Sequence, residues 1–136
     1  MAKLVLGPHT TFSVNGTDLS SWVHNVTVED TANPVDVTGF GEPYAEFAQG
    51  MKTAQITASL FQDYVAGGPD ATLSPLYFNN TAGTVKVNAD TSGTVIYTMV
   101  TKLQGYSPIS GGVGDADSID VTFTNFGTAG LTRGTV

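Results

Sequence analysis

The sequence contains no cysteine among its 136 residues. This absence excludes disulfide bonds, thiolate metal centres and cysteine nucleophiles, so stability must come from packing or from assembly. A chain without cysteine is also more typical of a cytoplasm than of a secretory pathway. We therefore expect neither a disulfide framework nor a thiol-based active site.

Basic residues are scarce as well: five Lys and Arg stand against twelve Asp and Glu, which gives a formal net charge of -7 at pH 7. Nucleic-acid binders need clustered positive charge to displace counterions from phosphates. The basic residues of this chain are scattered, at Lys3, Lys52, Lys86, Lys102 and Arg133. We expect no specific affinity for DNA, although an acidic surface would let DNA pass without adhering.

Long apolar runs are also missing. No segment approaches the ~18 apolar residues of a membrane-spanning helix. The first six residues, before Gly7, carry too short an apolar run for the core of a secretion signal. We expect a soluble, unexported protein without a membrane partner, folded as one domain over residues 1–136. Residues 1–10 and 127–136 are predicted to be flexible terminal segments.

Threonine, valine and glycine dominate while charged residues make up only 12%, a composition that favours pleated strands. The clearest alternation runs from Lys52 to Leu60, where every second side chain is apolar. Shorter strands are predicted at Thr11–Val14 before an Asn15-Gly16 turn, Trp22–Glu29, Val35–Thr38, Thr84–Ala89, Thr94–Leu103 and Ser118–Thr124. The predicted class is mainly β, as a β-sandwich or a small, partly open β-barrel.

Helical spacing occurs once. Leu73, Leu76 and Tyr77 lie at i, i+3 and i+4 behind Asp70, which is a suitable N-cap. One short flanking helix is therefore predicted at about residues 70–79, with Pro75 in its first turn, where a missing N–H is tolerated.

A long loop joins two of the predicted strands. Asn33-Pro34 is expected to end one strand, so that the connection runs over about residues 33–51. It carries Phe40, Tyr44 and Phe47 between glycines. Apolar aromatics that project from a β scaffold need a covering surface, and a second copy of the chain can supply it. These three residues are predicted to form a subunit interface; folding back onto their own domain is the alternative.

Groups suited to catalysis are few. The histidines are His9 and His24, and a relay of His24 with Ser20 and Asp18 would draw three side chains from one short segment, which cannot surround a reacting atom. Glu42 and Glu46 form a carboxylate pair with no fixed separation. We predict no catalytic residue and no enzymatic activity.

Asp115, Asp117 and Asp120 follow the run Gly111–Gly114 and could offer oxygen ligands to a cation such as calcium. Their spacing lacks the EF-hand pattern, and we interpret them as solvated acids that discourage aggregation at a sheet edge. No helix or lysine follows the glycines, so we interpret that run as a flexible or positive-φ connection at a subunit contact, not as a phosphate site. We predict no metal site and no cofactor.

Five sequence segments stand out together: Phe12-Ser-Val-Asn-Gly-Thr-Asp-Leu-Ser-Ser-Trp-Val23, Val35-Asp-Val-Thr-Gly-Phe-Gly41, Phe61-Gln-Asp-Tyr-Val-Ala66, Tyr106-Ser-Pro and Gly111-Gly-Val-Gly-Asp115. In this order they resemble the tail tube proteins of long-tailed bacteriophages. The resemblance implies a β subunit with a flanking helix, six copies closing into a ring, and rings stacking into a tube that conducts the genome. It also implies ring-to-ring contacts through Asn33–Met51, other tail proteins as partners, a place in the virion tail and synthesis in the host bacterial cytoplasm.

Two other classes stay open on composition. A capsid decoration protein or a head-to-tail connector would also expose aromatic side chains. A carbohydrate-binding module or adhesin would be a monomeric sandwich with a planar aromatic platform.

Overall fold

The computed structural model of the protein describes residues 7, 9–89, 95–127 and 130–135. The connection between the predicted strands Thr84–Ala89 and Thr94–Leu103, and most of the predicted flexible segment 1–10, lie outside this part of the chain.

Strands dominate the described residues, and all strand pairs are antiparallel. The elements are β1 Thr11–Val14, β2 Thr17–Asp18, β3 Val23–Asp36, β4 Phe47–Phe61, α1 Pro69–Phe78, β5 Gly83–Asn88, β6 Val95–Leu103, β7 Ser118–Asn125 and β8 Leu131–Thr135. They form one eight-stranded sheet in the order β2-β1-β5-β6-β7-β4-β3, with β8 pairing β6. The mainly β class with one short helix is confirmed, and the sheet stays open between β2 and β3 in place of closing into a barrel.

The core lies inside the curl of this sheet. The alternation predicted for β4 is confirmed, because Ala54, Ile56, Ala58 and Leu60 are all buried. Leu73 and Leu76 of α1 belong to the same buried cluster. Burying one leucine side chain contributes about 1.5 to 3 kcal/mol to the free energy of unfolding. The helix therefore stabilises the same core that the alternating strands form.

The predicted break at Asn33-Pro34 and the predicted loop bounds of 33–51 are wrong. β3 continues to Asp36 and pairs with β4 as far as Phe47, which leaves residues 37–46 as the loop. β3 is an edge strand with no neighbouring strand on one side. A proline is tolerated there because no strand on that side needs a hydrogen bond from its missing N–H.

A register shift between Ala32 and Pro34 carries the pairing past the proline. Gly50 on β4 faces this irregularity, since a Cβ atom there would lie 2.8 Å from the carbonyl oxygen of Asn33. The glycine therefore allows the two backbones to approach closely, and the hairpin continues beyond the proline.

The helix is found one residue from its predicted bounds but begins differently. Gly68 is the N-cap and makes no side-chain capping bond, while Asp70 lies in the first turn. Pro75 lies inside the helix, beyond the first turn, where its ring removes one helical hydrogen bond. Among the described residues no helix is long and apolar enough to span a membrane.

The C-terminal segment 127–136, predicted to be flexible, contains the strand β8. β8 pairs with the first half of β6, from Val95 to Met99. β7 pairs with β4 over Ser118 to Thr124, but with β6 only over Phe123 to Asn125, opposite Leu103 to Thr101. The divergence of β7 exposes an edge of β6, and β8 satisfies that edge while Leu131 packs against the core.

Candidate assembly surfaces

The loop between β3 and β4, together with Phe47, forms a surface that we call the hairpin tip, residues 37–47. Its base is well defined: the Val37 N–H donates to the Glu46 carbonyl at 2.8 Å, and the Glu46 N–H donates to Thr38 Oγ1 at 2.7 Å. Asp36 Oδ1 accepts the Thr38 N–H at 3.0 Å, and this bond holds the pKa of Asp36 below its ordinary value. The hairpin tip is therefore an ordered extension of the sheet.

The three predicted interface residues are exposed on the hairpin tip. Phe40 is 111% exposed, Tyr44 84% and Phe47 62%. None of these rings stacks on another ring of the described residues. In the monomer they do not fold back onto their own domain, and Phe47 belongs to the first position of β4, not to the loop.

A second apolar surface lies at the opposite end of β4, and we call it the aromatic patch: Tyr64, Phe78, Tyr106 and Ile109. The rings of Phe78 and Tyr106 meet edge to face with centroids 6.4 Å apart. The Tyr64 hydroxyl donates to the Pro108 carbonyl at 3.1 Å, next to Ile109, which is 79% exposed. Sequence reasoning missed this patch, because its members come from three separate segments.

Hydrogen bonds beneath the aromatic patch hold it in place. The Tyr106 hydroxyl donates to Asp70 Oδ1 at 2.7 Å. Gln62 Nε2 donates to the Tyr106 hydroxyl at 2.9 Å and to the Pro108 carbonyl at 3.0 Å. Desolvation by burial raises the pKa of Tyr106 above its ordinary value, and the Asp70 carboxylate raises it further. The phenol is therefore protonated at neutral pH and can serve as the donor in this network.

The residues considered for nucleophilic catalysis are not brought into a relay. His24 Nε2 lies 2.9 Å from Ser118 Oγ, and its ring is 4.5 Å from that of Phe61. Ser20 bonds instead to Asp18, its neighbour two residues earlier. The hydrogen bonds of His24 and of the Ser20–Asp18 pair are thus separate.

The acidic residues downstream of the glycine run also make separate local contacts. Among the described residues, no three or more His, Cys, Asp or Glu side chains are grouped so as to hold a metal ion. The three acids accept hydrogen bonds from different donors: Asp115 from Gly112, Asp117 from Ser110 and Asp120 from Ser59.

Two further predicted features lie on the surface. Gly111 and Gly114 have φ angles of 146° and 87°, which agrees with the positive-φ alternative for this connection. Its place at a subunit contact stays a prediction. Glu42 and Glu46 are both exposed on the hairpin tip. The described residues thus form a β domain with exposed apolar side chains near both ends of β4.

No protein-family model and no curated protein matches the chain. Solved structures do match, over nearly its whole length. A chain of the virion of a native gene transfer agent particle has a TM-score of 0.74 at 14% identity, covering 93% of this chain and 97% of that one. A chain of the tail of an empty gene transfer agent particle, helically refined in C6 symmetry, has a TM-score of 0.71 at 14% identity, covering 91% and 92%. A chain of the anti-feeding prophage cap, which terminates a tube, has a TM-score of 0.69 at 10% identity, covering 100% and 95%.

These similarities establish the fold, which is one found in subunits of phage-tail-like particles. The resemblance to tail tube proteins drawn from the sequence is confirmed at that level.

Proposed function

We propose that the chain is a structural subunit of a phage-type tail, and that its copies close into six-membered rings that stack into a tube. The observation that carries this proposal is the structural match to the gene transfer agent virion chain. This match covers 93% of this chain and 97% of that one. The similarity to a chain from a tail of C6 symmetry supports the ring number.

Exposed apolar surface gives a physical reason for assembly. Phe40, Tyr44 and Phe47 leave their rings in water in an isolated copy, and covering apolar surface contributes about 25 cal/mol per Å². We assign these residues to a subunit interface. Because structural roles of this kind need no reacting group, the protein requires neither a cofactor nor a catalytic residue.

The charge and the solvent face of the sheet suit a conduit for DNA. Register pairs Thr57 with Thr122 and Gln55 with Thr124, so β4 and β7 present hydroxyl and amide groups opposite the core. With a net charge of -7, such a surface offers phosphates little to bind, and DNA passes without adhering. The subunit would be made in the host cytoplasm and incorporated into the virion with other tail proteins.

Electron microscopy of the purified protein across a concentration series tests this function. We expect rings or tubes with six-fold symmetry and a central channel, and light scattering that rises with protein concentration. A protein that stays monomeric at millimolar concentration would overturn the proposal, as would solid particles without a channel.

The similarity to a tube-terminating cap favours one second candidate, a ring that ends or connects a tube without extending it. Such a protein would form single rings that do not stack at any concentration. The same micrographs distinguish the two roles.

A further inference from the structure

Seven of the sixteen exposed large apolar side chains of the described residues lie on the two surfaces at opposite ends of β4. The hairpin tip ends at Phe47, and the aromatic patch begins after Phe61. Strands rise about 3.3 Å per residue, so a straight β4 would separate the two surfaces by roughly 45 Å. Phe40, Tyr44 and Ile109 are all exposed in the structure, so the two surfaces do not cover each other within one copy.

We propose that the hairpin tip of one copy docks onto the aromatic patch of a second copy, so that copies join head to tail. This inference rests on the proposed tail function and adds the surface that receives the loop. A contact between two different surfaces leaves one of each free at the ends, and so it repeats along an axis. A contact between two hairpin tips would instead close into a pair and stop.

Both surfaces are held in shape before they meet. Hydrogen bonds from Tyr106 to Asp70 and from Gln62 to Tyr106 fix the aromatic patch. The bond from Val37 to Glu46 fixes the base of the hairpin tip. Binding surfaces that need little ordering lose less conformational entropy on association. This favours docking between these two surfaces.

The area of the hairpin tip fits a contact that is repeated around a ring. Its three aromatic side chains can each bury about 150 to 250 Å², or roughly 400 to 600 Å² together after their partial exposure is considered. A standard interface buries about 800 Å² on each partner. One tip alone is therefore a weak contact, whereas several tips engaged at once between two rings reinforce one another.

Charge does not drive this contact. The hairpin tip carries Glu42 and Glu46, and at the aromatic patch Asp70 bonds to Tyr106 and Asp117 bonds to Ser110, so both surfaces are acidic. The attraction must then come from apolar burial. A competing acceptor for an acidic tip is the outer side of β6, where Lys102 Nζ lies 4.3 Å from the ring centre of Phe126.

Cysteine cross-linking tests the docking, because the natural chain has no thiol. Ala45→Cys marks the hairpin tip and Ser110→Cys marks the aromatic patch; both positions are exposed and neither removes an apolar ring. The two variants are mixed as monomers, allowed to assemble and treated with a short bismaleimide. Val100→Cys, on the outer side of β6, replaces Ser110→Cys in the control mixture.

Covalent dimers should form in the mixture of Ala45→Cys with Ser110→Cys and not in the control. Dimers in the control mixture would show that the hairpin tip docks on β6. Dimers of Ala45→Cys alone would show that two hairpin tips pair with each other. Either result overturns the inference. Tubes in the microscope alongside such a result would leave the proposed function standing. Absence of both rings and cross-links would overturn both.

A substitution provides a second, independent readout. Ile109→Ser removes an exposed apolar side chain from the aromatic patch, so tubes should be lost while single rings remain. Phe126→Ser removes an exposed apolar side chain elsewhere and should leave the tubes intact. Tubes of normal length from Ile109→Ser, with no cross-link at Ser110→Cys, would contradict the docking.

Discussion

Phe12 on β1 and Phe123 on β7 contact each other inside the sheet, with ring centroids 6.0 Å apart, although β5 and β6 lie between their strands. Neighbouring strands are about 4.8 Å apart, so three steps across a flat sheet would span about 14 Å. The contact therefore requires the sheet to curl. This curl gathers the buried side chains into one core and leaves the hairpin tip outside it.

Phe123→Ala should lower the free energy of unfolding by about 3 to 5 kcal/mol, because both rings of the pair are buried and the substitution leaves a cavity. Urea denaturation followed by circular dichroism measures the change. Phe126→Ala is the matched control: its ring is exposed and its contact with Lys102 is worth about 1 kcal/mol. Equal losses in the two variants would contradict the assigned core.

The sequence predicted the elements whose signals are local. The Asn15-Gly16 turn is found with φ angles of 50° and 82°, as that residue pair suggests. The alternation of β4 and of Ser118–Thr124 reports directly on which face is buried. These patterns need no knowledge of neighbouring strands.

The features that were missed depend on neighbours that are distant in sequence. A proline usually ends a strand in the interior of a sheet. Pro34 is tolerated because β3 is an edge strand. β8 forms because β7 diverges from β6 and leaves an edge of β6 unpaired. The residues Leu131–Thr135 alone do not predict this strand. The aromatic patch joins Tyr64, Phe78 and Ile109 from separate segments, and spacing alone cannot bring them together.

Gly50→Ala should destabilise the base of the hairpin tip. Its added Cβ would lie 2.8 Å from both the Asn33 carbonyl oxygen and Val35 Cγ2, so the backbone must shift, at a cost of about 1 to 3 kcal/mol. Hydrogen exchange of the amides near Asp36 and Phe47 should accelerate. Gly105→Ala is the control, because no atom lies within 4 Å of its added Cβ. Unchanged exchange in Gly50→Ala would contradict the close approach.

Tyr106→Phe should change how stability falls in alkali. The pKa of Tyr106 is raised in the folded protein, so the unfolded chain releases this proton first. Protonated Tyr106 therefore adds its full contribution to the free energy of unfolding below about pH 10, the ordinary pKa of tyrosine. This contribution is lost as the pH rises above that value. Tyr106→Phe should lose about 1 kcal/mol near neutral pH with the bond to Asp70.

Between pH 9 and 11 the stability of Tyr106→Phe should then fall less steeply than that of the natural protein. Denaturation midpoints across this range measure the difference. Phe126→Ala, which removes no titrating group, should show the same slope as the natural protein. Parallel curves for Tyr106→Phe and the natural protein would show that this phenol does not couple to folding.

Salt should promote tube formation. Both docking surfaces are acidic, and their repulsion acts over a Debye length of about 30 Å at 0.01 M salt but only about 8 Å at 0.15 M. At the same protein concentration, light scattering should therefore rise faster at the higher salt concentration. Glu42→Gln combined with Glu46→Gln should assemble readily at both concentrations. Faster assembly of the natural protein in low salt would instead indicate attraction between opposite charges.

Replacing residues 38–45 by Asn-Gly should separate assembly from folding. The bond between Val37 and Glu46 closes the base of the hairpin tip, and a two-residue turn can join the same positions. Since Phe40 and Tyr44 are exposed, their loss should change the free energy of unfolding by less than about 1 kcal/mol. The shortened protein should stay folded by circular dichroism and form no tubes in the microscope. Tubes of natural length from this variant would remove the hairpin tip from the assembly interface.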